Sequence, residues 1–469
     1  MTLGKVIKAN INTAFIQITD FTVKNDAYLE LSHPLGPLLA QVISLNRTAE
    51  GEIAEAKLLG HSDGRGGANP VKIPPDINES VTYAEPMLIR DVLGVQRKSQ
   101  TGLYVGKLQD QNLKVYLDLE ALISRHVAVI AKTGRGKSYL VGVLIEELLK
   151  RRIAVVVIDP HGEYTSIAYP NDNKAEQRRM RKFDVNPRGY YHLFSEFSPD
   201  TTVNLAATAL RFDEKNLDYD DIVHLTTIGE SDAQCAMLER TLYTLQSQKR
   251  ESTIDNMMDI IGKEKTLAKY RLIRELKRLK SMPIFDNLQT TKLYEIVKPG
   301  RIAVINLRGV DEQIQAWCAG KISKRIFDRA KEGNFPPVFI IIEEAHRFIP
   351  EGIKTVASNA LATATSEGRK FGVGLCIVSQ RIAKVSKNVL SQAGTHMICT
   401  LTSSADLDAV ASSLEGWTKE MNDTVQRLPI GVALISADSL PQPIIVEIRV
   451  RESRHGGARR ALVTDGQGL

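Results

Sequence analysis

The residues whose types and spacing could do chemistry begin at AKTGRGKS, positions 131–138. Glycines at 134 and 136 let successive backbone amides turn inward around phosphate groups, and a following helix directs its positive end at the same point. Lys137 can reach the β- and γ-phosphates of a nucleotide, and the Ser138 hydroxyl can ligate Mg²⁺. Ala131 stands where a first glycine is usual. We therefore predict an ATP site formed by Thr133, Gly134, Arg135, Gly136, Lys137, Ser138 and Tyr139.

Two adjacent carboxylates follow an apolar segment, PVFIII, at positions 337–342. A strand that ends this way presents both groups at the carboxyl edge of a sheet, beside the phosphates. The usual order is an aspartate that supports Mg²⁺ and then a glutamate that positions water. Glu343 takes the first place with one extra methylene, so it joins Ser138 as a metal candidate. Glu344 is the candidate catalytic base.

Further polar residues stand at predicted strand and helix ends. Gln380, in IVSQR, is either a sensor of the γ-phosphate or a structural residue. Arg369, in SEGRKFGVG, could act on a neighbouring subunit's nucleotide as an arginine finger, an effect of about 10³-fold or more in rate. Arg125 is a second phosphate-side candidate or a surface salt bridge. In DPHGEY, Asp159 and Glu163 could assist water or metal, or cap the turn.

The elements that must position these residues show an α/β pattern. VAVIA and IAVVVID are β-branched runs long enough for buried parallel strands, and SYLVGVLIEELLK between them has helical periodicity. The same alternation resumes after Pro299-Gly300. Residues 172–295 are polar and helical in character, and we expect their basic faces (Arg271, Arg274, Lys277 and Arg278) to be solvated surface rather than a binding stripe.

Short alternating runs separated by Asn, Gly, Pro and Asp make a small β-barrel the best interpretation of the N-terminal region. The predicted organisation is a barrel at 1–95, linker strands at 96–120, the first part of an α/β nucleotide-binding core at 121–171, a helical insertion at 172–295, the second part of the core at 296–450, and an extended C-terminal segment at 451–469.

Composition excludes several classes of protein. The four cysteines are scattered without a CxxC pair, so neither a zinc site nor a disulfide framework is indicated. The N-terminus lacks the apolar core of a signal peptide, and no window is long and apolar enough to span a bilayer. A net charge of +6 permits a nucleic-acid partner without requiring one. We expect a soluble cytoplasmic protein with no membrane partner.

These motifs in this order resemble the HerA family, hexameric DNA-translocating ATPases of the HerA/FtsK branch of RecA-like P-loop proteins. The resemblance rests on RHVAVIAKTGRGKS, VIDPHGEY, FIIIEEAHRF, EGRKFGVGLCIVSQR and VSKNVLSQAGTHMI, behind an N-terminal barrel. It implies a RecA-like P-loop core with a barrel cap. It assigns Lys137 and Ser138 to ATP and Mg²⁺, Glu344 to water activation, Arg369 to the arginine finger and Gln380 to sensing.

The same resemblance implies a homo-hexamer that translocates on double-stranded DNA, unwinds it, and works with a NurA-like nuclease in end processing and repair, or with another effector. The sequence contains no evident set of residues for reading bases, so we expect binding without sequence preference. It also likens the C-terminal tail to a brace that reaches a neighbouring subunit. Lys354, in the loop after Glu344, is a pore-loop candidate or an ordinary surface residue. Two alternative functions stay open: a ring that activates an effector enzyme, as in antiviral defence, and a protein-translocating ATPase of the secretion or conjugation type.

Overall fold

The computed structural model describes residues 2–48, 51–64, 67–95, 99–414 and 417–456. Its N-terminal part is a barrel of short strands. The strands run in the order β2-β1-β7-β3-β4-β5, and β5 pairs back to β2, which closes the barrel; β6 adds to β5 alone. Alternate side chains such as Ala14, Ile16 and Ile18 fill the interior. The strands are β1 (Gly4–Ala9), β2 (Thr13–Ile18), β3 (Tyr28–Leu31), β4 (Leu38–Thr48), β5 (Gly51–Ser62), β6 (Ala68–Asn69) and β7 (Ser80–Tyr83).

A short helix joins the barrel to the second domain. Helix α1 (Pro86–Leu93) buries Ile89 and Val92 in a hydrophobic core that also contains Tyr28 and Leu39 of the barrel. It is followed by β8 (Leu103–Leu108), β9 (Lys114–Leu117) and α2 (Leu119–Arg125). We expected linker strands here. The structure shows that β8 pairs with Ile444–Ile448, the last strand among the described residues, and that β9 pairs with β8, so β8 and β9 form the far edge of the large sheet.

The first part of the core is a βαβ unit made of β10 (Val127–Ile130), α3 (Lys137–Lys150) and β11 (Ala154–Asp159). The segment expected to be helical follows and contains α4 (Lys174–Phe183), β12 (Phe194–Ser198), β13 (Thr208–Ala209), α5 (Tyr219–Leu225), α6 (Asp232–Ser247), α7 (Ile254–Gly262), α8 (Ala268–Lys280) and α9 (Leu293–Ile296). β12 and β13 depart from the expected helical character of this segment. β12 pairs in parallel with the core strand Ile302–Asn306, and β13 pairs in parallel with β12, so both extend the sheet.

The second part of the core contains β14 (Ile302–Asn306), α10 (Glu312–Lys331), β15 (Val338–Ile342), α11 (Val356–Glu367), β16 (Val373–Ser379), α12 (Lys387–Leu390), β17 (Thr395–Ile398), α13 (Ser404–Ser413), α14 (Lys419–Arg427), β18 (Val432–Ala437) and β19 (Ile444–Ile448). The twelve-stranded sheet has the order β13-β12-β14-β11-β15-β16-β10-β17-β18-β19-β8-β9. Its strands are parallel from β13 to β17 and antiparallel from there to β9.

Helices cover both faces of this sheet, as its parallel part requires. On one face, residues of α1, α2 and α3 share a hydrophobic core with alternate residues of β10 and β11. On the other, α10 carries the buried Trp317, which packs edge-on against Phe212 and Phe285 and donates from Nε1 to Asp221 of α5 at 2.7 Å. This architecture confirms the predicted α/β core with an N-terminal barrel and added helices. No helix in the described ranges has the length and hydrophobicity to cross a membrane.

The basic faces of the helical layer are partly neutralised within the layer. Arg271 pairs with Glu230 at 3.2 Å, and Arg278 pairs with Glu275 at 3.3 Å and bonds the Leu225 carbonyl. The exposed Arg271–Glu230 pair contributes little to stability and is typical of solvated surface, whereas Glu275 of the second pair is buried.

Candidate nucleotide site

The loop after β10 has the backbone that a phosphate cradle requires. Gly134 and Gly136 have φ values of 75° and 97°, a left-handed conformation that side-chain-bearing residues rarely adopt, and α3 begins immediately at Lys137. The Lys132 amide bonds the Thr400 carbonyl at 3.1 Å, which holds the loop against the end of β17. Ala131 is buried and its φ is not positive, so a methyl group in place of the usual hydrogen introduces no backbone strain.

Lys137 and the two adjacent glutamates form one ion cluster. The Lys137 ammonium lies 3.0 Å from Glu343 Oε1 and 2.5 Å from Glu344 Oε1. Burial disfavours the charged lysine, but the two carboxylates outweigh it and raise the pKa of Lys137. Burial also raises the pKa of Glu343 to about 7, against the opposing effect of Lys137. The lysine is therefore held where the nucleotide's phosphates would sit.

Ser138 receives carboxylates from two directions. Its hydroxyl bonds Glu163 and lies 3.5 Å from Glu343 Oε1. Glu163 reaches this position because Asp159 holds the turn before it: Asp159 Oδ1 accepts from the amides of His161 and Gly162 at 3.2 and 2.8 Å, and Oδ2 accepts from Tyr164 at 3.0 Å. Of the two predicted alternatives, capping of the turn therefore describes Asp159, whereas Glu163 lies at the site.

Glu344 occupies an unusual backbone position. Its φ of 52° and ψ of 47° are left-handed, a conformation that costs an L-residue about 1–2 kcal/mol and that is concentrated at functional sites. The turn directs its carboxylate back over the phosphate loop. His346 lies beside it, with Nδ1 3.3 Å from Glu344 Oε2 and 3.2 Å from the Ser379 hydroxyl. His346 is a site residue that the motifs did not predict, although its place two residues after the candidate base was an available signal.

Gln380 lies at the end of β16, where its amide oxygen accepts a hydrogen bond from the Thr133 hydroxyl of the phosphate loop. It thus joins the cradle, as a sensor of the γ-phosphate would. The same contact also holds the phosphate loop in place, so the structural alternative for Gln380 applies as well.

A cavity of about 570 Å³ extends from the loop along the first turn of α3, within the size range of small-molecule sites. Tyr139, Glu176, Arg179 and His455 supply polar walls, and Cys399, Ile430, Ile448 and Val450 supply apolar ones. Thr133 through Ser138, Glu344 and Gln380 line its phosphate end. All predicted nucleotide residues except Arg125 and the finger candidate Arg369 therefore meet here, with Glu343 directly behind Lys137 and Ser138.

Arg125 and Arg369 lie at the opposite edge of the sheet. Arg125 precedes β10 whereas the phosphate loop follows it, so Arg125 cannot be a phosphate ligand in its own subunit. It pairs with Asp438 at 2.5 Å, both half exposed, as the salt-bridge alternative described. Arg369 is exposed and has no ion-pair partner in the described part of the chain. Both arginines line a cavity of about 810 Å³.

The described part of the C-terminal segment packs on its own subunit. Ser453 bonds the buried Glu146 of α3 through its amide and hydroxyl at 2.9 and 2.6 Å, and His455 reaches the nucleotide cavity beside Tyr139. The predicted brace from residue 457 onward lies outside the described residues.

Comparisons with known proteins agree with this geometry. A family model described as "Helicase HerA, central domain" matches residues 103–326. The chain is 27% identical over 464 residues to the DNA double-strand break repair helicase HerA of Pyrococcus furiosus, covering 84% of this chain and 77% of that protein. It is 27% identical over 481 residues to a probable DNA double-strand break repair helicase HerA of Methanocaldococcus jannaschii, with 89% of each covered.

Solved structures show the same fold at low identity. VirB4 of Thermoanaerobacter pseudethanolicus superposes with a TM-score of 0.51 at 15% identity, over 74% of this chain and 96% of that one. The plasmid coupling protein TrwB, in complex with the non-hydrolysable ATP analogue ADPNP, gives 0.51 at 14% identity, over 77% and 93%. The predicted resemblance to the HerA family is confirmed, since a model of that family's central domain matches residues 103–326 and HerA helicases are about 27% identical over most of the chain.

Proposed function

We propose that this protein is an ATP-driven motor that moves along double-stranded DNA and unwinds it during the repair of DNA ends. The observation that carries the proposal is the site itself: Lys137 bridges Glu343 and Glu344 inside a left-handed glycine loop, in a chain whose relatives are named as DNA double-strand break repair helicases. A nucleotide-driven step is what such a site provides, and DNA is the substrate that the relatives' names give.

Hydrolysis follows from the placement of the side chains. The γ-phosphate would displace the two carboxylates from Lys137, since the ammonium then neutralises phosphate oxygens instead. Glu344 is freed by that exchange to accept a proton from attacking water, with its carboxylate held by the left-handed turn. Gln380 reports on the same phosphate through Thr133.

The residues present fit a magnesium ion. Glu343 and Glu163 converge on the Ser138 hydroxyl, and Glu343 Oε2 is buried with no hydrogen-bond partner. No group of three or more His, Cys, Asp or Glu side chains in the described ranges is arranged to hold a metal unaided, which suits a cation bound mainly through phosphates and Ser138. Bound there, Mg²⁺ would neutralise charge that develops on the β- and γ-phosphates.

We propose a homo-hexameric ring in which an arginine of a neighbouring subunit stabilises the transferred phosphoryl group. Arg369 lies at the opposite sheet edge without a partner in the described part of the chain, where it could reach a neighbour's nucleotide. A nuclease partner and passage of DNA through the ring complete the proposal. Lys354, exposed in the loop before α11, is the pore-loop candidate.

The test is steady-state ATP hydrolysis with and without linear duplex DNA over a salt series, combined with displacement of a labelled strand. Lys137→Ala is the blank. Because duplex DNA is held through its phosphates, stimulation should fall steeply with salt. ATP-dependent displacement absent in the blank is the expected result. Hydrolysis indifferent to DNA at every salt concentration would refute the motor and favour a ring that serves a protein partner.

A further inference from the structure

His126 stands at the junction of the elements that carry the two arginines. It follows Arg125 directly and ends α2, with φ of 57° and ψ of 169°. This region of backbone space is almost confined to glycine. The sequence therefore places a large side chain where the backbone disfavours one, and the imidazole is 2% exposed.

Both ring nitrogens of this histidine are used. Nδ1 accepts from the Leu375 amide of β16 at 3.1 Å, and because an amide can only donate, that nitrogen carries no proton. The proton is on Nε2, which donates to the Thr365 carbonyl at 2.8 Å. Burial lowers the pKa of His126, which favours the neutral ring. One imidazole thus connects the start of β10, the middle of the sheet and the last turn of α11.

The carbonyl that His126 holds lies four residues before Arg369. Helix α11 ends at Glu367 and continues into a single 3₁₀ turn, Gly368–Phe371, that carries the arginine. No hydrogen bond or ion pair to another described residue holds the Arg369 side chain. The position of its backbone therefore sets the region that the guanidinium can reach.

The backbone around His126 is closely packed. A β-carbon on Gly374 would lie 2.9 Å from Ile123 Cα of α2, and one on Gly394 would lie 2.8 Å from Arg125 Cβ. The Gly394 amide also donates to the Arg125 carbonyl at 2.5 Å. Arg125 is thus fixed to the same junction from the other side.

We infer that His126 is a positioning residue that holds the end of α11 against β10 and β16, and so sets where Arg369 faces the nucleotide of a neighbouring subunit. This inference rests on the proposed ring. It assigns His126 no contact with its own subunit's nucleotide, because the phosphate loop lies at the other end of β10.

Two variants separate the two hydrogen bonds. His126→Asn places an amide oxygen near the Nδ1 position and keeps an acceptor for Leu375, but it is too short to reach Thr365. His126→Gln extends its amide to the Nε2 position and keeps the donor to Thr365. We expect the asparagine variant to lose about 10²-fold in kcat, the scale that an ångström of misplacement produces, with KM for ATP unchanged. The glutamine variant should stay close to the wild-type kcat.

Rings assembled from subunits of two different variants distinguish a positioning residue from a purely structural one. His126→Asn subunits keep an intact catalytic site, and Glu344→Gln subunits keep an intact arginine edge. Mixing them should restore hydrolysis, since each asparagine subunit beside a Glu344→Gln neighbour receives a correctly placed arginine. Arg369→Ala mixed with Glu344→Gln is the reference pair.

The outcomes are distinguishable. Rescue of both Arg369→Ala and His126→Asn supports the inference. Rescue of Arg369→Ala alone overturns it and leaves the proposed ring intact. Failure of the Arg369→Ala pair refutes the trans-acting arginine, and the inference falls with it. If the asparagine variant does not fold, a large loss of kcat in a folded His126→Gln protein overturns the inference as well, because that variant retains the bond to Thr365.

Discussion

At the scale of single residues, Glu344 is the group on which hydrolysis should depend most. Its carboxylate is buried and lies 2.5 Å from the Lys137 ammonium, beside the place that the γ-phosphate would take. An amide of the same shape cannot accept that proton. We expect Glu344→Gln to lower kcat by about 10²–10⁴-fold. The measurement is single-turnover hydrolysis.

Binding of ATP to Glu344→Gln is the control. The glycine loop and Lys137 remain, so the Kd for ATP should stay within about threefold of the wild-type value or tighten, because removing a charge beside the phosphates reduces repulsion. An undiminished rate of hydrolysis would exclude Glu344 as the base and direct attention to Glu163.

Glu163 and Asp159 differ by four positions and should respond differently to loss of charge. Glu163 bonds Ser138, so Glu163→Gln should raise the Mg²⁺ concentration needed for half-maximal hydrolysis while the melting temperature is unchanged. Asp159 instead accepts three backbone amides, and Asp159→Asn should cost about 1–3 kcal/mol of unfolding free energy by leaving buried donors unpaired.

Mg²⁺ titrations of activity and thermal melts of both variants decide the matter. A stability loss in Glu163→Gln without a change in Mg²⁺ dependence would make it a second turn residue. From DPHGEY alone the two carboxylates were indistinguishable, because the amides that occupy Asp159 are aligned only once the turn after β11 is formed.

At the scale of elements, the helix that follows the phosphate loop is fastened by the end of the chain. Glu146 and Glu147 of α3 are both buried, and Arg449 pairs with them at 2.8 and 2.9 Å. Arg451 lies next to them, fully buried, and donates to the Ser453 hydroxyl at 2.9 Å. Buried ions of this kind are costly unless fully paired, so the network fixes the last strand and α3 relative to each other.

Gly142 leaves the space that this network needs. A β-carbon there would lie 2.5 Å from Arg451 Cζ, and the guanidinium has no exposed direction in which to retreat. We expect Gly142→Ala to destabilise the protein by about 1–3 kcal/mol, as overpacking in cores does. Gly262→Ala is the matched control, since nothing lies within 4 Å of its β-carbon and alanine favours helix.

Chemical denaturation of the two alanine variants tests this. Equal stability of both would mean that Arg451 can move aside, and that the network is looser than its burial indicates. A slower ATPase in Gly142→Ala, beyond its loss of stability, would show that the tail's packing reaches the phosphate loop through α3.

The elements also show how far the sequence can be read. The βαβ unit and the strand before Glu343 were predictable because each is a local run with its own periodicity and a motif at its end. The place of β8 and β9 was not, because β8 pairs with β19, more than 300 positions away, and β9 joins the sheet only through β8. Likewise, the four basic residues of α8 gave no hint that Glu230 and Glu275 would pair with two of them.

At the scale of the whole molecule, the subunit presents two different functional edges on one sheet. The phosphate loop follows β10, and the arginine edge precedes it, so no single chain can bring both to one nucleotide. The proposed ring would place the arginine edge of one subunit against the nucleotide site of the next in head-to-tail contacts, which close into a ring when the rotation between subunits permits. Activity should then depend on assembly, whereas ATP binding should not.

Arg369 and Lys370 allow the sharpest test of that arrangement. They are adjacent, both exposed, and equal in charge, but only Arg369 lines the cavity at the arginine edge. Because an arginine finger contributes about 10³-fold or more to the rate, Arg369→Ala should abolish nearly all hydrolysis at full assembly, with ATP affinity retained. Lys370→Ala should remain close to the wild type. The measurement is the rate of hydrolysis across a dilution series, with the assembly state followed by light scattering. The wild-type rate should fall together with the fraction of assembled rings, and the Arg369→Ala rate should stay low at every dilution. Equal losses of rate in Arg369→Ala and Lys370→Ala would mean that the edge acts only through its general positive charge.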